Sequence, residues 1–306
     1  MFSAQLPPVG TLISAALDKG TLSAFGYNIR EVFFDEVVRQ SLDSGILYNA
    51  TKVRRLISSE KQFFPSLKLA GFSDIERISG NEMNELLDSA YGRYGLDDTI
   101  VVCRSNKQAN RYNEGIRRMM LGREDEISQG DYLMVVKNNY FWLDENKEAD
   151  FIANGDICKV LKIKGYQTLY GHRFADIIAS FIDYPGLEVP VKIMLDTLNI
   201  EGPSLSSEQN REFFYSVAED YDQSLPRKKL YEKVKEDSYY NALQVKFAYA
   251  VTCHKAQGGQ WKAVFVDQGF LKEDMINQEY LRWLYTAFTR ATEKLYLVNF
   301  APQFFA

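Results

Sequence analysis

The run Ala248-Tyr249-Ala250-Val251-Thr252-Cys253-His254-Lys255-Ala256-Gln257-Gly258-Gly259-Gln260-Trp261 gathers hydroxyl, imidazole, ammonium and amide groups within a few residues. An apolar run leads into it, and a second, Ala263-Val264-Phe265-Val266, leads away. A buried strand ending in such a loop delivers its donors at the carboxyl edge of a parallel sheet, where open α/β sheets bind ligands. Gly258 and Gly259 permit close backbone approach. Exposed N–H groups and the Lys255 ammonium suit phosphate oxygens, so the chemistry on offer is phosphate binding. A tight loop whose polar groups satisfy only one another is the other reading, and for His254 or the two glycines taken singly it is the better one. Downstream, Tyr285-Thr286-Ala287-Phe288-Thr289-Arg290-Ala291 closes an apolar helical stretch with an arginine. A guanidinium offers permanent charge and a planar fork of donors to phosphate oxygens, and it can stabilise charge developing in phosphoryl transfer. Taken alone, Arg290 is a favourable charge near a helix C-terminus.

These groups need elements to hold them. Residues 246–251 and 261–266 read as strands, 280–291 as a helix and 295–298 as a closing strand. Nearer the start, residues 11–19 read as a short helix ended by Gly20, and 29–34 as a buried strand. Asp43 and Ser44 are cap candidates for a helix with Ile46, Leu47, Ala50, Val53 and Ile57 at helical spacing. Residues 99–103 form a strand, followed by Ser105 as a cap and by Ala109, Tyr112, Ile116 and Met119 along one helical face. Such alternation implies a parallel sheet with helices on its faces. Between these blocks, residues 131–136, 150–163 with an Asn154-Gly155 turn, 173–183 and 189–195 read as short strands joined by tight turns. That is a small antiparallel barrel or meander. A polar helical stretch follows, with Phe213, Phe214 and Val217 on one face and Arg227-Lys228-Lys229 beyond Pro226. The expected fold class is α/β, interrupted by an all-β insertion of roughly 100 residues.

Composition removes other chemistries. At about 150 residues per domain, 306 residues make two modules or one large domain with an insertion. The charge is −5, from 36 Lys and Arg against 41 Asp and Glu, so any nucleic-acid contact must use a local basic groove. Residues 241–306 hold seven of those bases against five of the acids, the only excess of that sign between the two parts. Cys103, Cys158 and Cys253 lie far apart without a C-x-x-C pair, which suggests neither a disulfide framework nor zinc. Only His172 and His254 occur, in different contexts, which argues against a histidine metal centre or a Ser/His triad. No apolar run approaches the roughly 18 residues of a membrane helix and no signal peptide is visible, so a cytoplasmic location is expected.

The complete strings carry a resemblance. Thr252, His254, Lys255, Gln257 and Gly258 resemble motif V of superfamily-one helicases, T-x-H-K-x-Q-G. Tyr285 to Ala291 is similar to their motif VI, Y-T-A-x-T-R-A, whose arginine acts as a finger on the ATP γ-phosphate. Gln5-Leu6-Pro7-Pro8-Val9 resembles motif III of the RecD-like branch, with Met1 and Phe2 where glycine and aspartate stand in the family, so the chain is expected to begin inside a motif. Val38-Arg39-Gln40 resembles the family's R-Q element; an ion pair of Arg39 with Asp35 or Glu36 is the ordinary alternative. Residues 32–36 have the shape of a Walker B strand, yet they follow the Gln5 segment and no G-x-x-x-x-G-K-[ST] occurs in the 306 residues. Asp35 and Glu36 are therefore assigned to a strand end. Gly130-Asp131-Tyr132-Leu133-Met134, Asn138-Asn139 and Asn154-Gly155-Asp156 resemble the family run through its inserted barrel, with Cys158 in place of a final glycine. Tyr140, Phe141 and Trp142 are open to stacking on bases or to a place in the barrel core, and core is favoured.

The resemblance implies a RecA-like parallel-sheet domain with an inserted barrel similar to Src-homology-three domains. Its segments would be a remnant of a first RecA-like domain (1–28), the second RecA-like domain (29–120 and 241–306) and the barrel with its helical tail (121–240). It implies the C-terminal motor half of an ATP-dependent DNA helicase of repair or recombination, moving 5′ to 3′. Arg290, Arg39 and Gln5 would serve catalysis, Gly258, Gln260 and Arg290 the nucleotide, and Thr252, His254, Lys255 and Gln257 the DNA. ATP and Mg²⁺ would be cofactors of the complete enzyme, with no tightly bound metal here. The partners would be single-stranded DNA at a duplex junction and a missing N-terminal RecA-like domain, with no membrane. A stand-alone, non-catalytic binding module of helicase-derived fold is the alternative. A metal-dependent nuclease fares poorly, because no clustered acidic and histidine set is visible.

Overall fold

A computed structural model of the chain describes residues 18–30, 43–59, 64–143, 150–184, 186–272 and 275–305. Two units result, one of residues 1–80 with 257–306 and one of residues 81–256. Numbered along the chain, the first unit's leading segment holds α1 (Lys19–Ala24), α2 (Gly45–Ser58) and β1 (Ile75–Ile78). The second unit begins with α3 (Met83–Tyr94), β2 (Thr99–Cys103) and α4 (Asn106–Gly115), which a π-helical turn (Ile116–Met120) continues. It goes on through β3 (Tyr132–Val135), β4 (Ile157–Leu169), β5 (His172–Phe181) and β6 (Glu188–Met194). Then come α5 (Ser207–Ala218), α6 (Arg227–Lys235), β7 (Leu243–Phe247) and β8 (Ala250–Thr252). The first unit's trailing segment adds β9 (Trp261–Asp267), α7 (Gln278–Phe288) and β10 (Ala291–Val298).

In the first unit β10 lies between β1 and β9 and pairs parallel with both, Leu295 opposite Ile75 and Val264. β9 is buried at every position except Lys262, as a parallel strand covered on both faces must be. Helix α2 starts where expected: Ser44 Oγ accepts from Leu47 N at 3.1 Å, and the Asp74 carboxylate accepts from Gly45 N at 2.9 Å and Ile46 N at 3.2 Å. A negative charge at a helix N-terminus meets the unpaired N–H groups there. Ile46, Ala50, Val53 and Ile57 form its buried face, and α2 packs on α7. Gly20 does not end a helix. It lies in the first turn of α1, because Asp18 caps that helix by accepting from Thr21 N at 2.7 Å. Residues 1–17, with Gln5, and 31–42, with Asp35, Glu36 and Arg39, lie outside the described residues.

In the second unit β2 and β8 pair parallel, Cys103 opposite Thr252. Ser105 caps α4 as expected, and Ala109 and Ile116 are buried. Met119 is 71% exposed instead of sharing their face, because the π turn changes the helical period and rotates Arg117 inward. Strands β3 to β7 close a five-stranded barrel. Three expected features differ. The barrel is not wholly antiparallel: β7 pairs antiparallel with β3 but parallel with β6, a connection that the α5–α6 crossover makes feasible. The strand expected over 246–251 is two strands, since the chain leaves the barrel after Phe247 to pair with β2. Asn154-Gly155 precedes β4 instead of interrupting a strand, and the hairpin turn falls at Tyr170-Gly171, both at positive φ (54° and 72°). The helical tail belongs to the barrel: Phe213, Val217 and Val234 share a core with Phe174 and Met194. Residues 81–120 and 241–256 belong to the same compact unit as the barrel.

Candidate nucleic-acid interface

Strand β8 carries Thr252, and a buried amide fixes that strand. Asn113 on α4 donates to Ala250 O at 2.9 Å and Phe247 O at 3.2 Å and accepts from Ala250 N at 2.8 Å. Beyond the strand, Cys253 N donates to Cys103 O, and Ala256 N donates back to Thr252 O at 3.0 Å. This tight turn leaves Thr252, His254 and Lys255 partly buried. The Lys255 ammonium donates to Asn154 Oδ1 and to Val136 O at 3.5 Å, so the loops of the barrel hold this lysine. Asn154 is in turn set by its own N–H, which donates to Asn138 Oδ1 at 2.8 Å.

Burial holds the Lys255 ammonium below the ordinary lysine range. Lys246, on β7, is pushed down to about 8 by burial and then by the charge of Lys255. The two lysines line one small cleft with Asn106, Asn110 and Asn113. Two crowded ammoniums among amides are a chemical setting for an anion such as a phosphodiester. In the sequence Lys246 marks only the start of a strand. Its spacing from Lys255 carries no periodic signal, because the barrel exit at Phe247 brings the two together.

In the other unit, Gly258 is exposed at φ +90°, and Gly259 lies against the Trp261 ring, which a Cβ would approach to 2.3 Å. Glycine is required at the second position by close approach and at the first by conformation. Gln257 is partly buried and Gln260 exposed. Arg290 is 1% exposed. Its Nη1 donates to Gly259 O at 2.8 Å, its Nε to Thr286 O at 3.0 Å and its Nη2 to Thr289 Oγ1 at 3.1 Å. The backbone adds Trp261 N to Arg290 O at 3.0 Å. Arg290 is thus joined to the glycine loop, and these three donors are spent on protein acceptors.

A second positioning cluster centres on Asp131, which the sequence shows only as part of the run into β3. Asp131 is fully buried and accepts from Arg117 Nη2 at 3.0 Å, Arg123 Nη1 at 2.8 Å, Tyr249 OH at 2.8 Å and Ser128 N at 2.7 Å. It ties the π turn, the start of the barrel and the residue preceding β8. An aspartate directly before an apolar strand was the available signal. Of the aromatic trio, Tyr140 is 69% and Phe141 36% exposed, while Trp142 is partly buried with Nε1 donating to Asn241 O at 2.7 Å. Core therefore suits Trp142 alone. Among the described residues no group of His, Cys, Asp and Glu could hold a metal ion, and no helix is long and apolar enough to cross a membrane.

Residues 247–298 match the family of the UvrD-like helicase C-terminal domain, and this segment, from the end of β7 through β10, carries both loops. No curated protein matches. Among solved structures, the chain is similar to a Pif1 helicase from Bacteroides in complex with ADP-AlF3 and single-stranded DNA, at 13% identity and TM-score 0.43, over 99% of this chain and 62% of that one. It is also similar to the Pif1 helicase from Candida albicans, at 15% identity and TM-score 0.40, over 99% of this chain and 63% of that one. The chain thus spans about three fifths of the length of these proteins.

Proposed function

We propose that the chain is the C-terminal motor half of an ATP-dependent, RecD-like DNA helicase of superfamily one, which couples ATP hydrolysis to translocation on single-stranded DNA and to duplex unwinding in repair or recombination. The observation that carries the reading is the junction of the two motifs inside the matched segment, Arg290 Nη1 on Gly259 O and Trp261 N on Arg290 O. A loop bonded in this way to the end of a motor helix moves with that helix. On the DNA side, Thr252, His254 and Lys255 stand at the end of β8, with Lys246 adding charge beside Lys255. Phosphate contacts there set the register of a strand without reading its sequence.

The nucleotide side rests on the motifs. ATP and Mg²⁺ would need a P-loop, which these 306 residues do not contain, with Gly258, Gln260, Arg290 and the motif residues Gln5 and Arg39 around them. Arg290 as it stands braces the glycine loop and does not present its fork to a phosphate, so the residues described do not form a nucleotide site by themselves. The same inward arginine favours the second reading, a non-catalytic nucleic-acid or protein-binding module. The coding sequence upstream of Met1 separates the two: an in-frame P-loop supports the motor half, and a stop codon supports the module. A direct test titrates a labelled oligo-dT into the chain. Weak binding that Lys255→Ala reduces agrees with the DNA side; binding indifferent to Thr252→Ala and Lys255→Ala defeats it.

A further inference from the structure

Two ammoniums stand in the cleft beside β8, and the acceptors that hold them are neutral. Lys246 Nζ donates to Ile200 O, and Lys255 Nζ donates to Asn154 Oδ1 and, at 3.5 Å, to Val136 O. Among the described residues neither lysine has a carboxylate partner. Asn154 is fixed independently of the lysine. Its own N–H donates to Asn138 Oδ1 at 2.8 Å, and Ala153 N, before it, donates to Asp156 Oδ2 at 2.8 Å. After it, Gly155 at φ +113° donates to Val135 O at 2.9 Å, and Val135 N donates back to Asp156 O at 2.9 Å. The turn before β4 is thus bonded to the end of β3, which makes the amide oxygen a set point and the long lysine side chain the adapting partner. A lysine already held does not lose its rotamer freedom a second time when it meets a ligand.

We infer that Asn154 is a positioning residue for Lys255, a role that rests on the reading of Lys255 as a phosphate contact and ties that contact to the barrel. The turn before β4 holds the ammonium at the end of β8 through a neutral oxygen, which orders the side chain without cancelling its charge. An ammonium has three protons. Two of them meet Asn154 Oδ1 and Val136 O, and the third is left for a ligand oxygen. The neutrality of the acceptor is the point. A carboxylate in the same place would order the lysine equally well but would form an ion pair, and a phosphate would then have to displace it. Burial holds the Lys255 ammonium below the ordinary lysine range, so the bond to the amide oxygen also offsets part of what desolvation costs the charge.

The test follows the ammonium and its ligand separately in the full chain. Heteronuclear NMR of nitrogen-labelled lysine titrates Lys255 Nζ, assigned by its loss in Lys255→Arg. Anisotropy of a labelled oligo-dT of about twelve nucleotides, at about 50 and about 200 mM salt, gives affinity and its salt slope. Asn154→Asp is expected to move the Lys255 midpoint upward, because an opposite charge favours the protonated form. It should also weaken binding about five- to tenfold and lower the slope of log affinity against log salt by about 0.7, the loss of one phosphate. Asn154→Ala keeps the charge and loses only its placement, so binding should weaken about two- to tenfold with the slope unchanged. In a Lys255→Ala background Asn154→Ala should be silent. An Asn154→Asp chain with the parent's Lys255 midpoint overturns the positioning role alone. So do Asn154 variants that bind as the parent does while Lys255→Ala binds more weakly, and so does a loss with Asn154→Ala that persists without Lys255. Binding that Lys255→Ala leaves unchanged, or that the parent lacks at the lower salt, overturns the phosphate reading and the positioning role with it. Equal thermal unfolding of all variants shows that a loss of binding is not a loss of fold.

Discussion

Arg290 shows how one side chain can be legible in type and opaque in orientation. The motif names a guanidinium, and nothing in Thr286 to Ala291 announces that it turns into its own helix end and onto Gly259 O. Burial decides the consequence: at 1% exposure, removing the fork empties a buried site, takes a donor from Gly259 O and leaves Thr286 O with the Thr289 hydroxyl alone among side-chain donors. Arg290→Ala should therefore cost about 2–4 kcal/mol of unfolding free energy, and Arg290→Lys less, since an ammonium retains part of the bonding. Urea denaturation of the three proteins checks this. A null effect of Arg290→Ala would show that the arginine is held loosely and is free for a ligand. Gly259→Ala is expected to destabilise as well, since the new methyl meets the Trp261 ring at 2.3 Å, whereas Gly258→Ala meets no atom and acts only through its positive φ. The ranking of the two glycine variants by melting temperature separates steric crowding from backbone strain.

At the scale of elements, the hub on Asp131 joins the π turn, the first barrel strand and the residue before β8. A buried carboxylate between two guanidiniums is costly to form and costlier to break, because removing its charge leaves Arg117 and Arg123 uncompensated. Asp131→Asn keeps the shape and is expected to lose about 3 kcal/mol, with faster amide hydrogen exchange through residues 117–123 and β8. A uniform rise in exchange across the barrel, with no excess in those segments, would mean that the hub only adds global stability. Lys246 makes a second prediction at this scale. Its folded pKa of about 8 lies below the ordinary 10.5, so between those values the unfolded chain holds a proton that the folded chain has released. Stability from this group therefore rises with pH through that window, by up to about 1.4 kcal/mol per pH unit, and below it the full burial cost stands. Lys246→Met should flatten the stability curve between pH 8 and 10 relative to the parent; parallel curves would contradict the burial of the charge. These couplings were hard to see in advance for a physical reason. Caps and buried strands are local, so Ser44, Ser105 and the run into Thr252 could be read from neighbours in sequence, while Asn113 with Ala250 and Asp131 with Tyr249 are bonds across more than a hundred residues.

For the molecule as a whole, the two loops with motif spacing were legible, and so was the change of texture that marks the barrel, because both are written in contiguous residues. The parallel closure of β6 on β7 was not, since it depends on where a helical crossover returns the chain. The net charge of −5 is a poor guide here, because the bases of α6 and the Lys246 and Lys255 pair are local clusters within a unit whose acids outnumber its bases. Two expectations follow for the 306-residue polypeptide on its own. Phosphoryl transfer needs a P-loop and a metal-holding carboxylate to position and neutralise the phosphates. With no P-loop in the sequence and Arg290 turned inward, ATP hydrolysis should stay at background in a coupled phosphate-release assay, with or without oligonucleotide. Binding to single strands should be weak and should fall steeply with salt, because it rests on counterion release from a handful of lysines and not on base readout. The two measurements are informative together: salt-sensitive binding without turnover is what the separated motor half predicts, whereas robust hydrolysis abolished by Arg290→Ala would place a complete nucleotide site within these residues and remove the need for a partner domain.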